Sequence, residues 1–159
     1  MKTIKVLSFA AIFALIAWLP AERFYWDMQV RRLCALDGGV KVYETVELPA
    51  DQFDSSGRVH IRGDKILVGS GYTVRTQQHY YKKGDVPVGN NSSMLQFRVA
   101  IVRNSDGKIL GESIVYQRAG GGFLDQLADA PSHFECPSIA ESDEYAVMKR
   151  VFIATEKKE

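Results

Sequence analysis

The chain has 159 residues, of which 46% are hydrophobic and 25% are charged, and its formal net charge is +1 at pH 7. This composition is close to the average of globular domains and excludes a chain that is disordered throughout. The balanced charge argues against nucleic acid as a partner, because proteins that bind phosphate backbones usually carry a clear basic excess.

The N-terminal segment, residues 1–21, has the features of a membrane-export signal. Lys2 and Lys5 supply positive charge, and residues 6–19 form an apolar run without a charged side chain. That run is shorter than the roughly 20 apolar residues of a full membrane span, and it fits the core of a signal peptide. We therefore expect the remaining chain, residues 22–159, to be exported as a single extracytoplasmic domain.

The residues around the end of this signal indicate whether it is cleaved. A cut after Ala21 would place Leu19 where a signal peptidase requires a small side chain. The sequence Phe24-Tyr25-Trp26 that follows is typical of the aromatic belt at a membrane surface. We predict a single-pass anchor in the inner membrane with a periplasmic domain, and the alternative is a soluble periplasmic protein after cleavage.

The domain is expected to begin with a helix and a strand. Apolar residues recur at helical spacing from Glu22 to Leu36, and Asp37-Gly38-Gly39 predicts the end of that helix. A strand is predicted from Gly39 to Val46, where β-branched residues are frequent. Pro49 to Gly57 is polar and rich in turn-forming residues, so it predicts a loop.

Two hairpins are predicted in the centre of the chain. Arg58–Ile61 and Lys65–Val68 are short strands on either side of a turn that contains glycine. Met94–Arg103 and Lys108–Arg118 are longer strands joined by Asn104-Ser105-Asp106-Gly107. An Asp-Gly pair between apolar runs is among the strongest hairpin signals in a sequence.

The clearest alternating strand extends from Gly69 to Lys83 and suggests a binding surface. One side of this strand is predicted to carry Arg75, His79 and Tyr81. Tyrosine and arginine are enriched at the energetic centres of protein interfaces. We predict that these three residues form a partner-binding face, and the alternative is an ordinary hydrated sheet surface.

The C-terminal part completes the predicted fold. Gly120-Gly121-Gly122 ends the last strand, and Phe123–Ala128 predicts a short helix. Asp129–Ser138 is expected to be irregular, and Glu141–Ala154 predicts a closing helix with Ser142 as its N-cap. The whole pattern predicts an α+β fold, an antiparallel sheet of about five to six strands with an N-terminal helix and a C-terminal helix, preceded by the apolar export or anchor helix.

Two cysteines, Cys34 and Cys136, lie near the two ends of the domain. An even number of cysteines in an exported chain favours a disulfide bond between them. Two free thiols and a metal site are the alternatives. His133 and Cys136 are the only closely spaced ligand pair, and one such pair is a weak metal signal.

Catalytic motifs do not emerge from the sequence. The triplet Gly120-Gly121-Gly122 lacks the lysine and hydroxyl residue of a phosphate-binding loop, and the acidic stretch from Asp51 to Gly57 lacks the ligand spacing of a calcium loop. Neither a nucleophile elbow nor a zinc-protease motif occurs. We therefore predict no enzymatic activity, no cofactor and no metal.

The segment Leu33-Cys34-Ala35-Leu36-Asp37-Gly38-Gly39-Val40-Lys41-Val42-Tyr43-Glu44-Thr45-Val46 resembles a segment of small, uncharacterised, signal-anchored proteins of Gram-negative bacteria. The shared features are an anchor, a short helix, a cysteine, a Gly-Gly pair and a strand, and they cover about the first third of the chain. The resemblance implies the compartment and brings no activity or ligand with it.

These patterns favour a non-enzymatic envelope protein that binds a protein or another partner through its sheet or its loops. A narrower alternative is an immunity or inhibitor protein against a toxin or hydrolase that acts in the envelope. The alternatives from other classes are an enzyme whose pocket is assembled from distant residues and a structural subunit of a membrane complex.

Overall fold

The computed structural model describes residues 21–62, 65–66, 71–81, 93–120 and 132–155. The predicted export segment up to residue 20 and the predicted short helix Phe123–Ala128 lie outside these ranges. No helix among the described residues is both long enough and apolar enough to cross a bilayer.

Three helices and nine strands lie within the described ranges. The helices are α1 (residues 21–37), α2 (Ile139–Ser142) and α3 (Glu144–Val151). The strands are β1 (Gly39–Val42), β2 (Val46–Leu48), β3 (Ile61–Arg62), β4 (Lys65–Ile66), β5 (Tyr72–Tyr80), β6 (Ser93–Arg103), β7 (Ile109–Ala119), β8 (His133–Cys136) and β9 (Phe152–Ala154).

One antiparallel sheet organises the domain. Its strands follow the order β3–β4–β5–β6–β7, and both β1 and β8 pair with the outer edge of β7, one after the other along its length. Strands β2 and β9 form a separate parallel pair. The predicted α+β fold with an antiparallel sheet and a C-terminal helix is therefore confirmed.

The predicted hairpin between the two longest strands is confirmed as β6 and β7. Gly107 adopts a φ of +71°, a left-handed conformation that glycine reaches without strain. Arg103 donates hydrogen bonds to Asp106 at 2.8 Å and to Glu44 at 2.5 Å. The bond from Arg103 lowers the pKa of Asp106 to about 2, so the carboxylate that stabilises this turn stays ionised well into the acid range.

The two faces of the sheet are covered by different helices. On the surface that we call the α3 face, Val74, Val99 and Ile101 pack in one cluster with residues of α3. Gly111 lies under α3, where an added Cβ would stand 2.6 Å from a methyl carbon of Val151. Glycine at this position therefore allows the helix to approach the strand closely.

The opposite surface, which we call the α1 face, holds a second apolar cluster. Val30 of α1 is fully buried there against Met94, Ile114 and Tyr116. Because side chains alternate along a strand, the neighbours of these residues in β6 and β7 point to the α3 face. Strand β7 is consequently buried on both sides, like a strand at the centre of a layered domain.

Helix α1 is attached to the sheet by a disulfide bond and by an ion pair with the buried Arg118. Cys34 and Cys136 are bonded, as predicted, across a sequence separation of 102 residues. Near the other end of α1, Asp27 accepts a hydrogen bond of 2.5 Å from Nε of Arg118, whose side chain is fully buried. Arg118 also donates to the carbonyl oxygens of Gly120 and Ser132. A buried charge needs such partners to offset its loss of hydration.

The prediction of one closing helix over Glu141–Ala154 is wrong. Asp143 is extended at φ −72° and ψ 179°, which separates α2 from α3, and its side chain accepts a hydrogen bond from the backbone N–H of Ala146. Asp143 is thus the N-cap of α3, and Ser142, the predicted cap, is the last residue of α2. Phe152 leaves the helical path because β9 pairs with β2, more than 100 residues earlier in the chain, and this pairing leaves no periodic signal in the sequence.

Three other predicted segments also differ from the structure. The segment predicted as irregular contains β8, which forms because it pairs with the outer edge of β7. The single predicted strand from Gly39 to Val46 is two strands, since β1 pairs with β7 and β2 with β9. The predicted loop from Pro49 to Gly57 includes a 3₁₀ turn at Ala50–Gln52. In the first two cases a partner distant in sequence decides the local conformation, whereas the 3₁₀ turn is closed by hydrogen bonds from Gln52 to Pro49 and from Phe53 to Ala50.

The disulfide bond is expected to provide a large share of the stability of the domain. Replacement of both Cys34 and Cys136 by serine should lower the free energy of unfolding by about 4–5 kcal/mol, because the bridge closes a long loop in the unfolded chain. Urea unfolding with and without reductant measures this difference. Reductant should destabilise the wild-type protein and leave the double variant unchanged. Equal urea midpoints for the wild type and the double variant in the absence of reductant would contradict the expectation.

Candidate partner-binding surface

The three residues predicted to bind a partner lie on one side of β5. In the β5–β6 register, Arg75 is opposite Ala100 and His79 is opposite Gln96, which places both side chains on the α1 face. Tyr81 continues the same alternation, and its ring lies 6.2 Å from that of Tyr116. All three side chains are exposed.

The three side chains do not form one compact cluster. The rings of His79 and Tyr81 make an edge-to-face contact with their centroids 4.8 Å apart. Arg75 lies four residues before His79, which corresponds to about 13 Å along a strand. The structure thus brings the two aromatic groups together and leaves the guanidinium at the other end of the same surface.

A buried carboxylate next to this surface was not found by sequence reasoning. Glu112 of β7 is only 4% exposed and lies on the α1 face. Its Oε2 accepts a 2.6 Å hydrogen bond from Nε of Arg98, and its Oε1 accepts a 2.5 Å bond from the hydroxyl of Tyr43. Only the register between β6 and β7 brings Arg98 and Glu112 together, so their positions in the sequence gave no signal.

The hydrogen bond to Glu112 also changes the pKa of its donor, Tyr43. The pKa of Tyr43 is raised, first because its hydroxyl donates to the carboxylate and then because the group is partly desolvated. Tyr43 therefore keeps its proton, and Glu112 keeps both of these hydrogen bonds, at neutral and moderately alkaline pH.

A second hydrogen-bonded group borders the same surface. The hydroxyl of Tyr116 donates to Oδ1 of Asp37 at 2.8 Å and accepts from Nε2 of Gln96 at 2.7 Å. Burial raises the pKa of Tyr116 strongly, and the bond to Asp37 raises it further. This chain of bonds connects the end of α1 with β6 and β7 and keeps the edge of the surface rigid.

The charges on the α1 face are unequally compensated. The carboxylates of Glu112 and Asp37 are engaged with Arg98, Tyr43 and Tyr116. Arg75 has no ion-pair partner among the residues that the structure describes. The outer part of this face is therefore positive and aromatic, and it offers side-chain amides as further hydrogen-bonding groups.

A groove lies on the other side of the domain, between the loop before β3 and the start of α3. Its volume is about 360 Å³, and its lining includes Arg58, Tyr145, Asp143 and Lys149. The guanidinium of Arg58 stacks over the ring of Tyr145 at 5.4 Å and is also paired with Asp54. Arg58 is thus engaged by two neighbours, and Asp143 is occupied as the N-cap of α3.

No cluster of three or more histidine, cysteine, aspartate or glutamate side chains suited to a metal occurs within the described ranges. In the same part of the chain, His79 contacts the ring of Tyr81, and His133 is exposed at the start of β8. Comparisons with protein-family models, curated proteins and solved structures gave no match. The assignment of a function therefore depends on the geometry of this chain alone.

An alkaline titration of tyrosine absorbance tests the hydrogen-bonded groups beside the surface. The chain has seven tyrosines, and those at 43 and 116 should ionise later than a free phenol, whose pKa is 10.0. Tyr116→Phe should remove the last component, and Asp37→Asn should shift it to lower pH. Because the folded-state pKa values are raised, these two groups stabilise the fold fully below about pH 10 and lose that contribution as pH rises further. Complete ionisation of the folded protein near pH 10 would contradict this arrangement.

Proposed function

We propose that the chain is a membrane-anchored or exported protein of the bacterial envelope that binds another protein through the α1 face of its sheet and catalyses no reaction. The observation that carries this proposal is the exposed surface with Arg75, His79 and Tyr81. Such a surface offers positive charge, aromatic rings and hydrogen-bonding groups, a combination favoured in protein interfaces.

The disulfide bond supports an extracytoplasmic location. A bond between Cys34 and Cys136 is maintained in an oxidising compartment and reduced in most cytosols. The positive charges and apolar run at the N-terminus provide a route of export that fits this bond. The two features are independent, since one is a tertiary contact and the other is a sequence signal.

The exposed side of α1 supports a position close to the membrane. Phe24, Tyr25 and Met28 are 68%, 52% and 50% exposed, and they lie shortly after the apolar run in sequence. Aromatic side chains at such a position favour the headgroup layer of a bilayer. Because the disulfide and the Arg118–Asp27 pair attach α1 to the sheet, an α1 at the membrane surface would keep the whole domain close to it.

The arrangement of polar groups supports binding rather than catalysis. The buried acid Glu112 is neutralised by Arg98 and held by Tyr43, so it serves to fix the sheet surface. A rigid, disulfide-bonded body with a polar and aromatic face also suits an inhibitor or immunity protein, which is a narrower form of the same proposal. Stoichiometric co-purification with an envelope hydrolase or toxin would select that form.

A topology reporter tests the proposed compartment. Alkaline phosphatase fused after Glu159 is expected to be active, because the domain is exported, and a cytoplasmic β-galactosidase fused at the same position is expected to be inactive. Deletion of residues 1–19 should reverse both results. Active β-galactosidase on the complete chain would contradict the proposal.

Site-directed photo-cross-linking tests the proposed surface. A photoreactive phenylalanine analogue in place of His79 is expected to give a discrete adduct in intact cells, because this side chain lies at the centre of the surface. The same analogue in place of Arg150, which is exposed on α3, is the matched control and should give none. The adduct at position 79 should fall about tenfold with Arg75→Glu, since charge reversal opposes a complementary partner. Equal adducts at both positions, or no effect of Arg75→Glu, would overturn the proposed surface.

A further inference from the structure

We infer that the partner binds by strand addition: an extended segment with alternating acidic and apolar residues pairs with the outer edge of β5. This inference rests on the proposed function and adds the mode of binding and the chemistry of the partner. It is carried by the backbone of β5, by the side chains on its two sides and by the charge of the α1 face.

Strand β5 has a long edge without a strand beside it in the described part of the chain. Its inner edge pairs with β6 over all nine residues, from Tyr72 to Tyr80. On its outer edge, Lys65 and Thr73 are the one residue pair in register with β4 among the described residues. Residues 75–80 therefore present, within the described ranges, an edge of the kind on which other chains add strands.

The alternation of the β5–β6 hydrogen bonds shows which backbone groups of β5 are available to an added strand. The N–H of Tyr81 donates to the carbonyl oxygen of Met94 at 2.9 Å, so residue 81 directs its backbone groups toward β6. In an antiparallel pair, alternate residues bond to the partner and those between them point away. The N–H and C=O groups of Thr76, Gln78 and Tyr80 must then point outward from the sheet.

Several features that commonly prevent strand addition are missing from this outer edge within the described ranges. Residues 75–81 are all exposed, and they contain no proline and no acidic residue. The β5–β6 register is regular over its whole length, so no bulge turns the edge away. Natural sheets commonly use prolines, bulges or inward charges to block such edges, and their absence here favours a functional edge.

The side chains on the two faces of the sheet next to this edge determine which residue types the added strand should carry. On the α1 face the edge carries Arg75 and His79, which favour carboxylates. On the α3 face, Tyr80 is 39% exposed, and Leu95 and Phe97 behind it are half-buried, which favours apolar side chains. Because side chains alternate along a strand, one segment with acidic and apolar residues in alternation satisfies both sides.

Charge also decides between such a segment and a second copy of the chain. A second β5 paired in antiparallel register would place another Arg75 on the same face. The carboxylates on that face, Glu112 and Asp37, are already engaged and would not pair with it. An acidic strand from a different protein instead supplies the missing counter-charge.

Amide hydrogen exchange of the full-length chain in zwitterionic nanodiscs tests the inference. The probe is a nine-residue peptide in which valine alternates with glutamate. The amides of Thr76, Gln78 and Tyr80 should exchange rapidly in the free protein and about tenfold more slowly when the peptide is bound, whereas the amide of Gln77 should be protected in both states. A peptide with lysine in place of glutamate should bind about tenfold more weakly.

A matched pair of variants separates the backbone from the side chain. Gln78→Pro removes an outward N–H that β6 does not use, and it should weaken binding of the peptide about tenfold, whereas Gln78→Ala retains the N–H and should stay within about twofold. Methylation of alternate peptide amides provides a second measurement that does not depend on folding of the variant. Methylation of the peptide amides that point toward β5 should abolish binding, and methylation of the amides between them, which point away, should not.

Each opposing outcome has a defined meaning. Slow exchange of Thr76, Gln78 and Tyr80 in the free protein, independent of concentration, would mean that the chain covers its own edge and would overturn the inference. Slow exchange that increases with protein concentration would identify a second copy as the occupant and would also overturn it. The photo-cross-link at position 79 in intact cells separates this inference from the proposed function. If Arg75→Glu removes that adduct and Gln78→Pro does not, strand addition is wrong and the proposed function stands. If the adduct survives both variants, both proposals fail.

Discussion

The burial of β7 on both of its faces is the constraint on which the rest of the structure depends. Residues 110–116 of this strand are buried without interruption. A strand in this position must be covered on each side and paired on each edge, because water cannot satisfy its backbone or solvate its side chains. Helix α1, helix α3 and strands β1, β6 and β8 meet these requirements, and their positions follow from them.

Polar groups inside this arrangement fix the orientation of α1. Arg118 is fully buried at the end of β7, and it is compensated only when Asp27 and the carbonyl oxygens near it are in place. The disulfide from Cys34 holds the other part of the helix, and Tyr116 bonds to Asp37 at its end. A helix attached at three points cannot slide along the sheet, so the outer part of the α1 face keeps a constant shape.

The constant shape of the α1 face links the fold to the proposed function. The surface with Arg75, His79 and Tyr81 extends beyond the apolar cluster under α1, on the strand farthest from β7 among the long strands. Its neighbours Arg98 and Glu112 neutralise each other, whereas Arg75 has no ion-pair partner among the described residues. A rigid surface of this kind binds a partner without the entropy cost of ordering flexible loops.

The sequence by itself determined the α+β class, the β6–β7 hairpin, the disulfide partners and the side of β5 on which Arg75, His79 and Tyr81 lie. These features depend on local periodicity, on turn chemistry and on a count of two cysteines, all of which a single chain displays. Only the tertiary structure decided that the closing helix is divided by Asp143, that Phe152 enters a strand with β2 and that β8 forms along β7. It also decided that Glu112 meets Arg98 and that residues 75–80 keep an open edge within the described ranges. The physical reason is the same in each case: these contacts join residues distant in sequence, and sheet pairing and burial assign their conformation more strongly than local propensity does.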